Sequence, residues 1–192
     1  IVTAAWECGD PGIQFKDTIN KMNPVPYDGE IRASNPCSEY LFLDDTVCNL
    51  ASLNLRAYQT EVPGDLDWEI FEDDIRVLIR SMDHLVDVTS YPNEKIKETT
   101  LQYRNLGLGF ANLGALLMSW GVPYDSDEGR DIAASIMGFI EMVAISESQR
   151  LAKKYGAYPA WERNQKPQTE VIKNHRRALM KVRGTESWGI AL

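Results

Sequence analysis

Between residues 67 and 91, Trp68, Phe71, Ile75, Leu78, Ile79, Met82, Leu85 and Val86 recur at three- and four-residue steps. That spacing predicts an amphipathic helix, which Pro92 stops. Residues 127–155 carry Ile132, Ile136, Met137, Phe139, Ile140, Met142 and Val143 on several faces, so the helix they predict must be covered by neighbours. Ser126 is its candidate N-cap, Asp127 and Glu128 suit the positive first turn, and Gly156 stands just past the end. Residues 110–120 form another apolar block before Gly121-Val122-Pro123, in a stretch that reads as mostly helical. A last helix is expected over 170–182, capped by Thr169 after Pro167. Toward the start the pattern weakens. Ile1 to Trp6 is short and apolar, the run Cys8-Gly9-Asp10-Pro11-Gly12 breaks it, and residues 13–21 are modestly helical with Asp10 as cap and Pro11 in the first turn. Residues 23–36 contain Pro24, Pro26, Pro36 and Gly29, a loop with one extended candidate at 30–34. Residues 40–43 and 46–55 are apolar and β-capable, the second stretch carrying Cys48.

A length of 192 residues suits one domain or a piece of a larger one. The 28 acidic residues outnumber 20 basic ones, and the net charge of −8 argues against a nucleic-acid partner. With 44% hydrophobic and 25% charged residues the chain is ordinary globular protein. No apolar run approaches the ~18 residues of a membrane span, which excludes a membrane-embedded class. Three cysteines without close spacing fit neither a disulfide framework nor a metal knuckle, so a reducing, cytoplasmic setting is expected. The first residue is Ile1 and no secretory signal follows it, so the chain reads as an internal fragment.

The segment Ala33-Ser34-Asn35-Pro36-Cys37-Ser38-Glu39-Tyr40 is chemically the richest. In an extended chain Asn35, Cys37 and Glu39 would project to one side, and Pro36 biases Asn35 toward extended geometry. One face would then offer a thiol, a proton acceptor and a hydrogen-bonding amide. Spacing alone leaves open a plainer reading, in which Cys37 is a small inert thiol, Glu39 a solvated charge and Asn35 a turn residue. Other signals are weaker. Gly107-Leu108-Gly109 hints at a dinucleotide fingerprint, but Asn112 occupies the third glycine position and the pattern fails. His84 and His175 lack metal-ligand spacing, so no metal site is expected. Lys173, Arg176, Arg177, Lys181 and Arg183 read as the solvated face of the last helix, and residues 155–161 as a helix stop with packing aromatics.

The wording Asn35-Pro36-Cys37-Ser38-Glu39, followed by Cys48-Asn49-Leu50-Ala51-Ser52-Leu53-Asn54-Leu55, resembles the active-site segment of ribonucleotide reductase large subunits. The adenosylcobalamin-dependent class II enzymes are the most similar. The likeness continues through Gly9-Asp10-Pro11-Gly12, Arg104-Asn105-Leu106-Gly107-Leu108-Gly109, residues 121–126 and Asn174-His175-Arg176-Arg177, leaving only 184–192 unplaced. It implies an α/β fold, part of a ten-stranded α/β barrel with a central finger loop at about 23–46 and a helical region at about 67–183. Cys37 would sit at the loop tip and become the thiyl radical that abstracts the ribose 3′ hydrogen. Glu39 would take the 3′-hydroxyl proton, and Asn35 would hold the sugar hydroxyls. Cys48 would be one of two cysteines that deliver electrons and end as a disulfide, its partner lying upstream of Ile1. Cys8 is read as a packing thiol, and Gly107 and Gly109 as sites of close backbone packing.

The resemblance further implies adenosylcobalamin as radical source, a ribonucleoside diphosphate or triphosphate substrate, a thioredoxin-like dithiol reductant, and a homodimer when the chain is complete. No C-terminal cysteine pair, phosphate-cradling Pro-Thr-x-Ser loop, cobalamin segment or allosteric segment is recognisable, so the fragment alone is expected to be inactive. Two alternatives are the large subunit of the diferric, two-subunit class I enzyme and a non-catalytic helical scaffold whose cysteines are passive.

Overall fold

A computed structural model describes residues 1–182; residues 183–192, which include Arg183 of the basic run and the unplaced tail, lie outside the described residues. Helix α1 (Val2–Cys8) ends at Gly9, whose φ of 80° closes the last turn in the left-handed region. Helix α2 (Lys16–Asn20) is shorter than expected. Asp10 and Pro11 do not cap it: residues 10–15 are irregular, and the helix starts after Phe15. The expected extended stretches at 30–34 and 40–43 shrink to a single antiparallel bridge between Ser34 and Leu41.

Strand β1 (Asn49–Asn54) pairs in parallel with β2 (Leu106–Ala111), from Asn49 opposite Leu106 to Asn54 opposite Ala111. Between them lie a short 3-10 turn (Leu55–Tyr58), α3 (Trp68–Val88) and α4 (Glu94–Tyr103), the crossover that parallel pairing requires. The apolar block at 110–120 is therefore not one helix. Its first two residues finish β2, and α5 (Leu113–Ser119) begins after Asn112 adopts a left-handed φ of 66°. β2 escapes the alternation rule because glycines occupy its alternate positions, leaving Leu106, Leu108 and Phe110 as the only patterned signal. The expected helical region thus contains a strand.

Helix α3 matches its periodicity: Asp67 Oδ1 accepts the Ile70 N–H at 3.0 Å, and Phe71, Ile75, Ile79, Met82 and Val86 are buried. Leu85 lies at the edge of that stripe and is exposed. Helix α6 (Asp127–Tyr155) keeps its expected bounds, with the Ser126 hydroxyl accepting the Gly129 N–H at 3.0 Å. The two helices meet through Phe71 stacked on Phe139 at 5.7 Å and Trp68 tilted on Phe139 at 4.9 Å. Leu53, Leu55, Tyr58, Leu66, Leu116 and Ile140 complete this core. Each fully buried aliphatic or aromatic side chain contributes about 1.5–3 kcal/mol.

Helix α7 (Trp161–Leu179) begins nine residues before the expected start and carries Pro167 inside it. Thr169 is not a cap; its hydroxyl donates back to the Gln165 carbonyl. The proline removes an internal N–H, but the first turn is anchored elsewhere: the fully buried Asn164 donates to Asp28 Oδ2 at 2.7 Å, and Arg163 pairs with the same carboxylate. At its other end Leu179 packs where a Cβ on Gly138 of α6 would stand.

Glu147 is the one acidic side chain among the buried described residues, and Arg76 at 3.2 Å, Arg80 at 3.1 Å and Arg150 at 3.1 Å converge on it. Glu147→Ala removes the acceptor on which these three guanidinium groups converge, and in a protein carrying this segment it is expected to lower stability by roughly 1–2 kcal/mol, read as a fall in the thermal unfolding midpoint. An unchanged midpoint contradicts this role for the α3–α6 contact.

Candidate active site

Cys37 lies in a turn and not in a helix or a paired strand. The Asn35 carbonyl accepts the Ser38 N–H at 3.1 Å, and Ser38 takes a left-handed φ of 65°. Pro36, with its fixed φ, leads into the Cys37 position. This turn corrects the expected extended presentation: Asn35, Cys37 and Glu39 belong to a chain reversal and do not alternate along a strand. The reversal wins because Asn35 closes it three times over. Its N–H donates to the Tyr40 carbonyl at 3.1 Å, its own carbonyl takes Ser38, and its side-chain Oδ1 accepts the Tyr40 N–H at 3.0 Å. Cys37, Ser38 and Glu39 are exposed at the tip, while Asn35 and Tyr40 are half-buried at the base.

Two sets of contacts fix this tip. On the outer side Gln14 Nε2 donates to the hydroxyls of Ser34 and Ser38, the residues bracketing Asn35-Pro36-Cys37. On the inner side the Tyr40 hydroxyl receives the Asn105 Nδ2–H at 2.7 Å and donates to Thr46 Oγ1 at 2.8 Å, while Thr46 donates onward to the Leu43 carbonyl at 2.7 Å. Asn105 is held in turn by its neighbour. Arg104, at φ 52°, donates to Asp83 Oδ1 at 2.8 Å and to Asp87 at 2.7 and 2.9 Å.

Cys48 directly precedes β1 and is half-buried. The Val47 N–H donates to the buried Thr100 hydroxyl of α4 at 3.3 Å, and Asn49 Nδ2 donates to the Met82 carbonyl of α3 at 2.8 Å. Its thiol meets β2 at Gly107, where an added Cβ would stand 2.9 Å from Cys48 Sγ and overlap Leu50. Close packing at Gly107 is thus realised, whereas a Cβ on Gly109 would meet nothing nearer than Ser52 Oγ at 4.0 Å. Along β1, Asn49, Ala51 and Leu53 turn toward the helices, and Leu50, Ser52 and Asn54 turn away. Cys48 shares the side of Leu50 that faces away from the helices.

Burial raises the Cys48 thiol above its ordinary pKa, and the negative charge of Glu39 raises it further. The Glu39 charge at the turn thus acts on the thiol that precedes β1. The Tyr40 phenol is pushed up to about 12, chiefly by burial and also by the proximity of Cys48. All three cysteines are free thiols, and Cys8 is exposed on α1, with its Sγ 3.2 Å from the Ala4 carbonyl, instead of packed. His175 is committed to Glu141, and His84 stands exposed on α3. Among the described residues no cluster of three or more His, Cys, Asp or Glu could hold a metal, and no helix is long and apolar enough to cross a membrane.

Gln14, Tyr40, Thr46 and Asn105 carry the positioning of this site, and none stood out by residue type. Three lie beside or inside motif wording, two residues after Gly12, one after Glu39 and one after Arg104. Only their mutual contacts give them meaning.

An exposed thiol at a turn tip and a second, half-buried thiol just ahead of a parallel strand are the two sulfur groups of this α/β segment. The ribonucleotide reductase barrel-domain model matches residues 1–188, and the chain belongs to that family. It is similar to the vitamin B12-dependent ribonucleotide reductase of Agrobacterium fabrum, at 45% identity over 91% of this chain and 14% of that protein. The protein of the same name from Streptomyces clavuligerus is 45% identical over 90% of this chain and 18% of its own length. The vitamin B12-dependent ribonucleoside-diphosphate reductase of Mycobacterium tuberculosis is 42% identical over 84% of this chain and 23% of its own. The chain thus spans less than a quarter of the length of these relatives.

Replacing Glu39 by Gln removes the charge that raises Cys48, so the pH profile of Cys48 alkylation is expected to move to lower pH, measured by mass spectrometry of iodoacetamide-labelled peptides. An unmoved profile contradicts the coupling. Gly107→Ala is expected to displace the Cys48 side chain and raise its alkylation rate at fixed pH, and an unchanged rate would show that the strand pair gives way there.

Proposed function

We propose that this chain is the finger-turn part of the catalytic barrel of a B12-dependent ribonucleotide reductase, converting ribonucleotides to 2′-deoxyribonucleotides. The observation that carries the reading is the pairing of an exposed turn-tip thiol, Cys37, with a second thiol, Cys48, electrostatically coupled to the intervening Glu39. In the whole enzyme adenosylcobalamin supplies the initiating radical from parts of the protein beyond this segment.

Cys37, as a thiyl, takes hydrogen from C3′ of the ribose. Glu39 accepts the 3′-hydroxyl proton, and Asn35, whose Oδ1 is engaged by Tyr40, serves the sugar hydroxyls as a donor through Nδ2. The 2′ C–O bond breaks and its oxygen leaves as water. Cys48 and a second cysteine outside this chain supply two electrons and two protons and become a disulfide, and Cys37 returns hydrogen to C3′. A dithiol protein then restores the thiols. One substrate oxygen is lost as water for each disulfide formed, so the step balances.

Several features support the surroundings of this reading. The β1–α3–α4–β2–α5 order is the strand–crossover–strand unit from which a ten-stranded α/β barrel is built, and both strands keep a free edge among the described residues. Leu50 at 66% exposed on the sheet, with Trp6 at 90% and Phe15 at 72% on the amino-terminal segment, are surfaces for the remainder of the reductase chain to cover. The Mycobacterium relative's name specifies diphosphates, and we take a ribonucleoside diphosphate as the first substrate to test. A homodimer in the cytoplasm is the assembly this reading expects. The class I alternative is disfavoured because the relatives named above are B12-dependent. The scaffold alternative gives no reason for the Cys37 and Cys48 arrangement.

In the full-length enzyme, Cys37→Ser is expected to abolish turnover while leaving nucleotide binding within about twofold, because a hydroxyl O–H bond is too strong for the radical relay. Cys48→Ser is expected to permit hydrogen abstraction, seen as a substrate radical by electron paramagnetic resonance, but not product. Near-normal multiple turnover in either variant refutes its assigned role.

A further inference from the structure

The Tyr40 side chain has no role in the chemistry above, yet Tyr40 links the base of the turn at Asn35 to Thr46 and Asn105. Its backbone N–H and carbonyl are both taken by Asn35, at 3.0 and 3.1 Å, so Tyr40 closes the turn that presents Cys37. Its hydroxyl reaches across to Asn105, 65 residues away at the entrance to β2, and to Thr46 on the approach to Cys48. The proton order is fixed along this line. Asn105 can only donate through Nδ2 and Thr46 spends its proton on the Leu43 carbonyl, so the phenol accepts from one and donates to the other. A half-buried hydroxyl with both functions satisfied is a rigid link. The ring is supported as well, by Phe42 at 6.1 Å, which itself meets Tyr103 edge-on at 5.2 Å. Behind Asn105 stands Arg104, tied to Asp83 and Asp87 of α3. The line therefore runs from a long helix through β2 to the turn tip.

We infer that Tyr40 is a positioning residue, a pin that holds the Cys37 turn in register with Cys48 through the Asn105–Tyr40–Thr46 line. This rests on the reductase reading and deepens it. Cys37 must accept and return the same hydrogen while Cys48 delivers electrons to the same sugar, so the two thiols must keep one relative placement through a cycle. Asn35 rigidifies the turn internally without fastening it to the sheet. The hydroxyl of Tyr40 makes that fastening. Small misplacements of reacting groups are costly to rate even where binding is unchanged.

The test is Tyr40→Phe in the full-length enzyme, which keeps the ring and removes the pin, with Asn105→Ala cutting the same line at its other end. With cytidine diphosphate as substrate and dithiothreitol as reductant, kcat is expected to fall roughly 5- to 30-fold, the effect of losing one or two net hydrogen bonds. KM should stay within about twofold. In the resting enzyme, the alkylation rate of Cys48 by iodoacetamide should rise. The double variant should be no slower than the worse single variant, because both cut one line. Wild-type kcat and wild-type Cys48 alkylation in Tyr40→Phe overturn the inference, as do losses that multiply in the double variant. Cys37→Ser run alongside separates the two levels. If it is inactive while Tyr40→Phe behaves as wild type, the pin fails and the reductase reading stands; if it turns over, the reading itself fails.

Discussion

Two strands that run in the same direction cannot be joined by a tight turn, and the parallel pairing of β1 with β2 imposes that condition on everything between them. The chain must travel back along the sheet, and α3 with α4 does so, laying Phe71, Ile75 and Ile79 toward Leu53, Leu106 and Leu108. One face of the sheet is spent on this core. The other face is left uncovered by these helices, and Cys48 lies on it because it falls in phase with Leu50, Ser52 and Asn54. The close approach of the strands then dictates residue 107. Any side chain larger than hydrogen would collide with Leu50 and press on the Cys48 sulfur.

On that frame the reactive turn is attached by polar groups and not by apolar burial. Cys37, Ser38 and Glu39 are exposed and contribute little to the core, so the turn owes its shape to Asn35 and its placement to Gln14 and Tyr40. A hydrogen-bonded mounting suits the radical role proposed for Cys37. Packing would cover the tip, whereas satisfied hydrogen bonds at the turn's base fix geometry and leave Cys37 exposed. The same logic places Glu39 where its negative charge raises the Cys48 thiol beyond what burial alone does.

Much of this was legible in the chain, for physical reasons that differ by element. Helix α3 is marked by its apolar stripe and α6 by a long run apolar on several faces behind the Ser126 cap, and their bounds follow closely. The turn at Cys37 followed from proline chemistry, yet its alternation was misread as extended because Asn35 prefers to bond its own backbone neighbours. Helix α4 has no stripe of its own, since Glu94–Tyr103 carries only Ile96, Leu101 and Tyr103 as apolar or aromatic positions, and it rests on the Asn93 cap and local pairs. Strand β2 was hidden by glycines, and the start of α7 by a proline that anchoring through Asp28 makes tolerable. The motif residues Cys37, Glu39 and Cys48 were readable by type; Tyr40, Asn105 and Gln14 were not, since a tyrosine or an amide acquires a role only from what the fold sets opposite it.

The division of labour between the two thiols is the claim on which the account stands, and a single turnover of the full-length reductase without added reductant tests it most directly. After one equivalent of deoxynucleotide forms, the thiols are trapped with iodoacetamide and the peptides mapped. The account predicts Cys48 in a disulfide with a cysteine outside this segment, and Cys37 and Cys8 alkylated as free thiols. Recovery of Cys48 as a free thiol, or of a Cys37–Cys48 disulfide as the product, would contradict it.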